Sequence, residues 1–207
     1  MNGERERALT AGVALLERAI DYTLGSLRVV TPAALCRATP CAGWPLERLL
    51  THVTDSLRTL NEAATGEVSL GTKALDHLRT ARRLTRGGNP ALFVRDDATE
   101  LLGTWAGTLT SELISIDDRH LTSPMVAAVG AIEIAAHGWD IARACGECHP
   151  IPPLLADELL DLAHLFVTPA DRPYRFAAPF PVPEAAPAED RLLAYLGRDP
   201  AWPSRSR

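Results

Sequence analysis

The stretch Ala131-Ile132-Glu133-Ile134-Ala135-Ala136-His137-Gly138-Trp139-Asp140-Ile141-Ala142-Arg143-Ala144 decides the reading of this chain, because it sets two metal-competent side chains inside an apolar helical pattern. At about 100° per residue, positions i, i+4 and i+7 return to one side of a helix, so Glu133, His137 and Asp140 form a column. Val126, Val129, Ala136 and Ala144 fall on or beside it. Such a face looks into the protein, where an uncompensated carboxylate is costly. A divalent cation would compensate it, with Glu133 and His137 as two ligands and a third from elsewhere in the chain. A side-chain hydrogen bond on a half-exposed face would serve equally for a Glu/His pair at this spacing, so the pair alone leaves both readings open.

The chain has 207 residues, 46% of them hydrophobic, enough for one domain with a buried core. A formal charge of −5 and a pI near 5.7 argue against a nucleic-acid surface, which needs a basic face. The charged start, Met1-Asn2-Gly3-Glu4-Arg5-Glu6-Arg7, runs into a pattern broken by Glu17 and Arg18 and does not read as a signal peptide. No apolar run approaches the roughly eighteen residues of a membrane span. The expected location is the cytoplasm. There the four cysteines, Cys36, Cys41, Cys145 and Cys148, are expected as free thiols.

Periodicity predicts an all-α chain. Leu9, Val13, Leu16, Ile20 and Leu24 mark a helix over residues 5–29. Leu46, Leu49, Leu50, Val53, Leu57 and Leu60 mark a second, opened by Pro45 and ending before Gly66. His52 lies off the centre of that leucine stripe, turned either to solvent or to a cavity. A basic helical segment over 73–86 carries Arg79, Arg82, Arg83 and Arg86 at its C-terminal end, where they complement the helix dipole. A further helix is expected from Ala91 to Ile114, followed by a polar turn and a start signal at Ser123-Pro124. Gly146 closes the helix of the opening stretch, and another runs from Pro150–Pro153 to Val167. From Thr168 on, the chain holds half of its sixteen prolines, and only Pro187–Leu196 reads as a short helix. No β-alternation stands out. The expected organisation is a helix bundle over 1–167 and a Pro-rich strap over 168–207 packed on the same domain.

Three motifs then form one pattern: Thr39-Pro40-Cys41-Ala42-Gly43-Trp44 before a helix carrying Leu49-Leu50-Thr51-His52-Val53, the opening stretch, and the ending Asp190-Arg191-Leu192-Leu193-Ala194-Tyr195-Leu196-Gly197-Arg198-Asp199-Pro200. The chain resembles the DinB/YfiT-like superfamily, in the actinobacterial branch related to the N-terminal domain of mycothiol-dependent maleylpyruvate isomerase. That resemblance implies a DinB-like four-helix bundle with a Pro-rich C-terminal extension and one metal held by His52, Glu133 and His137. It further implies an open coordination position, with zinc the default and iron(II) or nickel suited to the same donors. Asp140 could orient a ligating imidazole or pair with Arg143 behind it, or serve as a structural hydrogen bond.

By the same resemblance, the expected chemistry is activation of a low-molecular-weight thiol such as mycothiol, or of water, toward a small electrophile by transfer or isomerisation. The alternative is a bundle that binds a metal or small molecule without catalysis. The chain lacks the extra C-terminal domain of the isomerase, which counts against maleylpyruvate as substrate. Bundles of this type often pair, so a homodimer is compatible. Cys145-Gly146-Glu147-Cys148-His149 matches the CxxCH of haem attachment, a redox pair or part of a zinc site, but unpaired thiols at a helix end fit it best. Cys41 can pack as a small hydrophobe.

Overall fold

The computed structural model describes residues 2–65, 89–107, 113–116, 119–173 and 175–203. Its helices are α1 (Asn2–Leu27), α2 (Leu46–Thr65), α3 (Pro90–Gly107), α4 (Ser123–Ala144), α5 (Pro153–Phe166) and α6 (Ala188–Tyr195), with short 3₁₀ turns at Pro32–Ala34 and Pro169–Asp171. The first four make the bundle, and α5 and α6 pack on each other beside α4. The chain is all-α in class, as its periodicity predicts. The basic segment 73–86 lies outside the described residues.

Helix α4 is the axis of the fold. At 22 residues it is long enough, and on average apolar enough, to cross a bilayer by length and composition, contrary to the expectation that no such run exists, yet 83% of its most apolar window is buried inside the protein. Burial runs nearly all round it, and the two half-exposed positions at its middle are Val129 and Glu133. The Glu133 column therefore faces a partly open side rather than the deepest core. A helix packed on most of its faces needs small residues where neighbours come close, and α4 supplies them. Gly12 of α1 sits over Pro124 and Ala127, and Gly138 of α4 lies under Tyr22 and Thr23, so α1 and α4 run side by side in the same direction. Thr23 Oγ1 donates across this seam to the Ile134 carbonyl at 2.8 Å.

Helix α2 crosses the opposite side of α4 in the reverse direction, with Leu60 against Gly130 and His52 beside Glu133. Its stripe of Leu46, Leu49, Leu50, Val53 and Leu57 is at most 1% exposed. Each such side chain contributes about 1.5–3 kcal/mol by leaving water. Arg58 on α2 pairs with Asp97 on α3 at 3.0 Å, and the Trp105 indole donates to the Leu60 carbonyl at 3.3 Å.

One element differs from expectation. Helix α3 is described as Pro90–Gly107, and Leu113–Ile116, expected in part as helix, forms strand β1, paired antiparallel with β2 (Arg119–Thr122) in the register Leu113↔Thr122 to Ile116↔Arg119. Ile114 and Ile116 are β-branched and favour a strand, and Gly107, the last residue given to α3, is a poor helix former. The hairpin delivers the chain straight into α4.

The C-terminal region wraps this frame. After α4, Gly146 at φ +85° takes the left-handed conformation, the Gly146 N–H bonds to the Arg143 carbonyl and the Glu147 N–H to the Ala142 carbonyl. This is a glycine-centred helix stop. The same motif closes α6 around Gly197.

Candidate metal centre

Two elements converge at the open side of α4. The turn Thr39–Trp44 enters α2 in a fixed conformation: buried Thr39 donates its hydroxyl to the carbonyls of Trp44 (2.9 Å) and Cys41 (3.1 Å), and Gly43 takes φ +79°. Trp44 then stands edge-on to His52, with ring centroids 5.0 Å apart, and Arg48 caps the other part of the indole at 4.4 Å. His52 is thus walled by an aromatic ring on one side, and its ring meets His137 edge-on at 5.0 Å on the other. Of the two orientations left open for His52, the structure shows it turned to α4.

His52 Nε2 lies 2.8 Å from Glu133 Oε1, and His137 Nε2 lies 3.8 Å from the same oxygen. One ligand atom from each of the three residues lies within 4.8 Å of the other two. Donors around a tetrahedral zinc, at about 2.0–2.2 Å from the ion, stand roughly 3.3–3.5 Å apart, so this set fits such a cation once its separations change by about 1 Å or a little more. The side chains of His52 and Glu133 are 35% and 30% exposed and that of His137 is 8%, so the cluster opens to solvent on the α2 side and is closed behind.

Ser56, one turn beyond His52 on α2, approaches Glu133 Oε1 at 3.2 Å. Burial alone would push the Glu133 carboxyl up. The His52 hydrogen bond, the His137 and His52 charges and the Ser56 hydroxyl outweigh it and bring the carboxyl down to about 2. Glu133 is therefore an anion across the neutral range.

Behind the cluster, His137 Nδ1 meets Asp140 Oδ2 at 3.0 Å. With Nδ1–H donating to that carboxylate, the lone pair of His137 is on Nε2, the atom that faces Glu133. Burial would raise the fully enclosed Asp140, but the Arg198 charge and the bonds from His137 and Arg198 hold it below the usual carboxylate range. Arg143, suggested as a partner for Asp140, points elsewhere. It donates to the Trp202 carbonyl and lies over the Trp139 ring. The guanidinium on Asp140 belongs to Arg198, at 3.0 Å. Ser56 is signalled in the sequence only by its i+4 spacing from His52, and Arg198 only by its place in the Gly197-Arg198-Asp199-Pro200 ending.

The cysteines stand outside this cluster, and all four are free. Burial pushes the Cys41 thiol up despite Arg198 and Arg48 nearby, which is the opposite of an activated nucleophile. Cys145 is raised for the same first reason. His149, the histidine of the CxxCH stretch, stacks on Tyr22 with ring centroids 4.8 Å apart and its Nε2 3.3 Å from the Tyr22 carbonyl. Its ring is committed to packing α1.

Comparison with known proteins agrees with this architecture. Two uncharacterised proteins from two strains of Mycobacterium tuberculosis are each 27% identical over 187 residues, covering 88% of this chain and 94% of theirs. No solved structure matches significantly. The family model described as the mycothiol maleylpyruvate isomerase N-terminal domain matches residues 16–142, a span that contains His52, Glu133, His137 and Asp140. With more than half of its length matched, the chain belongs to the mycothiol maleylpyruvate isomerase N-terminal domain family.

Proposed function

We propose that the chain is a metal-dependent enzyme that activates a low-molecular-weight thiol of the mycothiol type, or water, for transfer to or isomerisation of a small electrophilic substrate. The observation that carries this is the convergence of His52, from α2, with Glu133 and His137, from α4, on a half-open surface, where a cation would keep a free position toward solvent. Two imidazoles and one carboxylate suit zinc first, and iron(II) or nickel as well. When bound, such a cation lowers the pKa of a thiol or water that reaches it, supplying a nucleophile at neutral pH.

The chain's own residues do the rest. Glu133 contributes the anionic donor, already ionised. Asp140 fixes the His137 tautomer that leaves Nε2 free. Trp44 and Arg48 border the His52 side, giving the approaching molecule an aromatic edge and a positive charge. A thiol carrying anionic or polyhydroxylic groups and a small carboxylate electrophile both suit that border.

The experiment follows loss of free thiol, for transfer, and the change in double-bond geometry of the electrophile, for isomerisation in which the thiol is released again, when the zinc-loaded chain meets mycothiol and an α,β-unsaturated carboxylate. The rate should depend on protein and metal, vanish on chelation, and fall by at least about 100-fold in Glu133→Gln. A native rate no faster than that of the chelated protein, across thiols and electrophiles, would overturn the catalytic reading.

A further inference from the structure

The ending Leu196-Gly197-Arg198-Asp199-Pro200 lies well beyond residues 16–142, yet it reaches the back of the candidate metal centre. Helix α6 buries Leu192, Leu193, Ala194 and Leu196 to 1% exposure or less. Gly197 at φ +80° then reverses the chain, with its N–H on the Ala194 carbonyl at 3.0 Å and the Arg198 N–H on the Leu193 carbonyl at 2.8 Å. In this helix stop the residue after the glycine is usually apolar and packs back on the helix. Here it is an arginine, 7% exposed.

Burying a guanidinium requires compensation, and the partners are specific. Nη1 donates to the Leu196 carbonyl at 2.9 Å, which ties the side chain to its own turn. Nη2 donates to Asp140 Oδ2 at 3.0 Å and stands 3.5 Å from His137 Nδ1. Asp140 Oδ2 thus receives both Arg198 and His137, while Asp140 Oδ1 has no hydrogen-bond partner among the described residues. The carboxylate is held in one orientation by a residue supplied from the C-terminal segment.

We propose that Arg198 is a positioning residue of the metal centre: through Asp140 it holds His137 in the Nδ1–H tautomer and aims Nε2 at the position shared with His52 and Glu133. The proposal rests on the reading of His137 as a ligand. It makes the C-terminal segment part of the site, although every expected ligand lies in the bundle. It also gives the arginine at the Gly197 turn a chemical reason to be there. Without the guanidinium, Asp140 keeps a single partner in an apolar enclosure and has no cause to stay in the orientation that serves His137.

The test uses the full chain and two readouts. Zinc affinity is measured by competition with a chromogenic chelator, and the His137 tautomer is read by long-range ¹H–¹⁵N correlation in metal-free protein. Arg198→Met should weaken zinc by about 10–100-fold, as is usual when the partner of a ligating imidazole is lost. It should also replace a single Nδ1–H tautomer with a mixture. Arg198→Lys should recover part of both. In an Asp140→Asn background Arg198→Met should add little, because the arginine acts through that carboxylate.

Native affinity together with a native tautomer in a folded Arg198→Met chain would overturn the proposal. Should that variant fail to fold, Arg198→Lys carries the same test, with a fewfold loss expected and an unchanged affinity and tautomer overturning it. A native chain that takes up no zinc but changes tautomer in Arg198→Met would sink the metal reading while sustaining the positioning role. Zinc binding by the native chain, with affinity and tautomer both insensitive to Arg198, would sink the positioning role alone.

Discussion

Replacing Gly138 with alanine tests the seam on which the site is built. In an unconstrained helix this change would stabilise by about 1 kcal/mol, because alanine loses less backbone entropy. Here the added Cβ would sit 2.4 Å from Thr23 Oγ1, 3.0 Å from Tyr22 Cε1 and 3.1 Å from Thr23 Cα. The hydroxyl can rotate away only by giving up its 2.8 Å bond to the Ile134 carbonyl, and Thr23 Cα is backbone that moves only with α1. Overpacking of this kind costs about 1–3 kcal/mol and a lost buried hydrogen bond about 1 kcal/mol more. Set against the propensity gain, the expected net loss is about 1–3 kcal/mol.

Chemical denaturation of Gly138→Ala should therefore show a lower midpoint with an unchanged slope. Thr23→Ala should recover part of the loss in the double variant, since it removes the closest contact. A midpoint equal to or above the native value would refute the close approach of α1 and α4. Because Gly138 follows His137 directly, zinc affinity is expected to fall with stability.

Other consequences are separately measurable. Burial raises the Glu189 carboxyl, against the Ile151 N–H bond and with Asp190 adding to the rise. A folded pKa above the unfolded one, near 4.3, means that stability is fully present below that value and is lost as pH rises through the folded one. Glu189→Gln keeps an acceptor for Ile151, so its melting temperature should gain on the native chain from pH 4 to pH 7, and a constant difference would contradict this. Gly197→Ala puts a Cβ 2.7 Å from that of Ala177 at a left-handed position, and should cost at least about 1–2 kcal/mol in thermal melts while weakening zinc binding. Native stability in this variant would contradict the turn that delivers Arg198.

Much of the bundle was legible because its helices follow simple rules. The leucine stripe of α2 and the Pro45 before it locate its start at Leu46. The Gly146 stop of α4 and the short α6 were equally readable, since glycine in the left-handed region has few substitutes. The pairing of Glu133 with His137 follows from helical spacing, but the arrival of His52 is a tertiary fact that only resemblance supplied.

Three things were not legible. The Leu113–Ile116 strand is hidden because Leu113 and Ile114 continue the apolar spacing of α3, and only pairing with Arg119–Thr122 decides the matter. The column from Glu133 to Asp140 was expected to face inward throughout, whereas packing leaves Glu133 partly open and Asp140 sealed. The partner of Asp140 was sought one helical turn away, at Arg143. It came from Arg198, because α6 and its glycine turn carry that side chain back to α4.

The most direct test of the central claim is the metal content of untagged native chain, and of His52→Ala, Glu133→Ala and His137→Ala, by elemental analysis after dialysis. The account predicts about one equivalent of zinc, iron or nickel per native chain and a marked loss in each variant with the helical content kept. A native chain that carries no metal and takes none up from added zinc, iron or nickel would contradict it, leaving Glu133 and His137 as polar residues of the bundle.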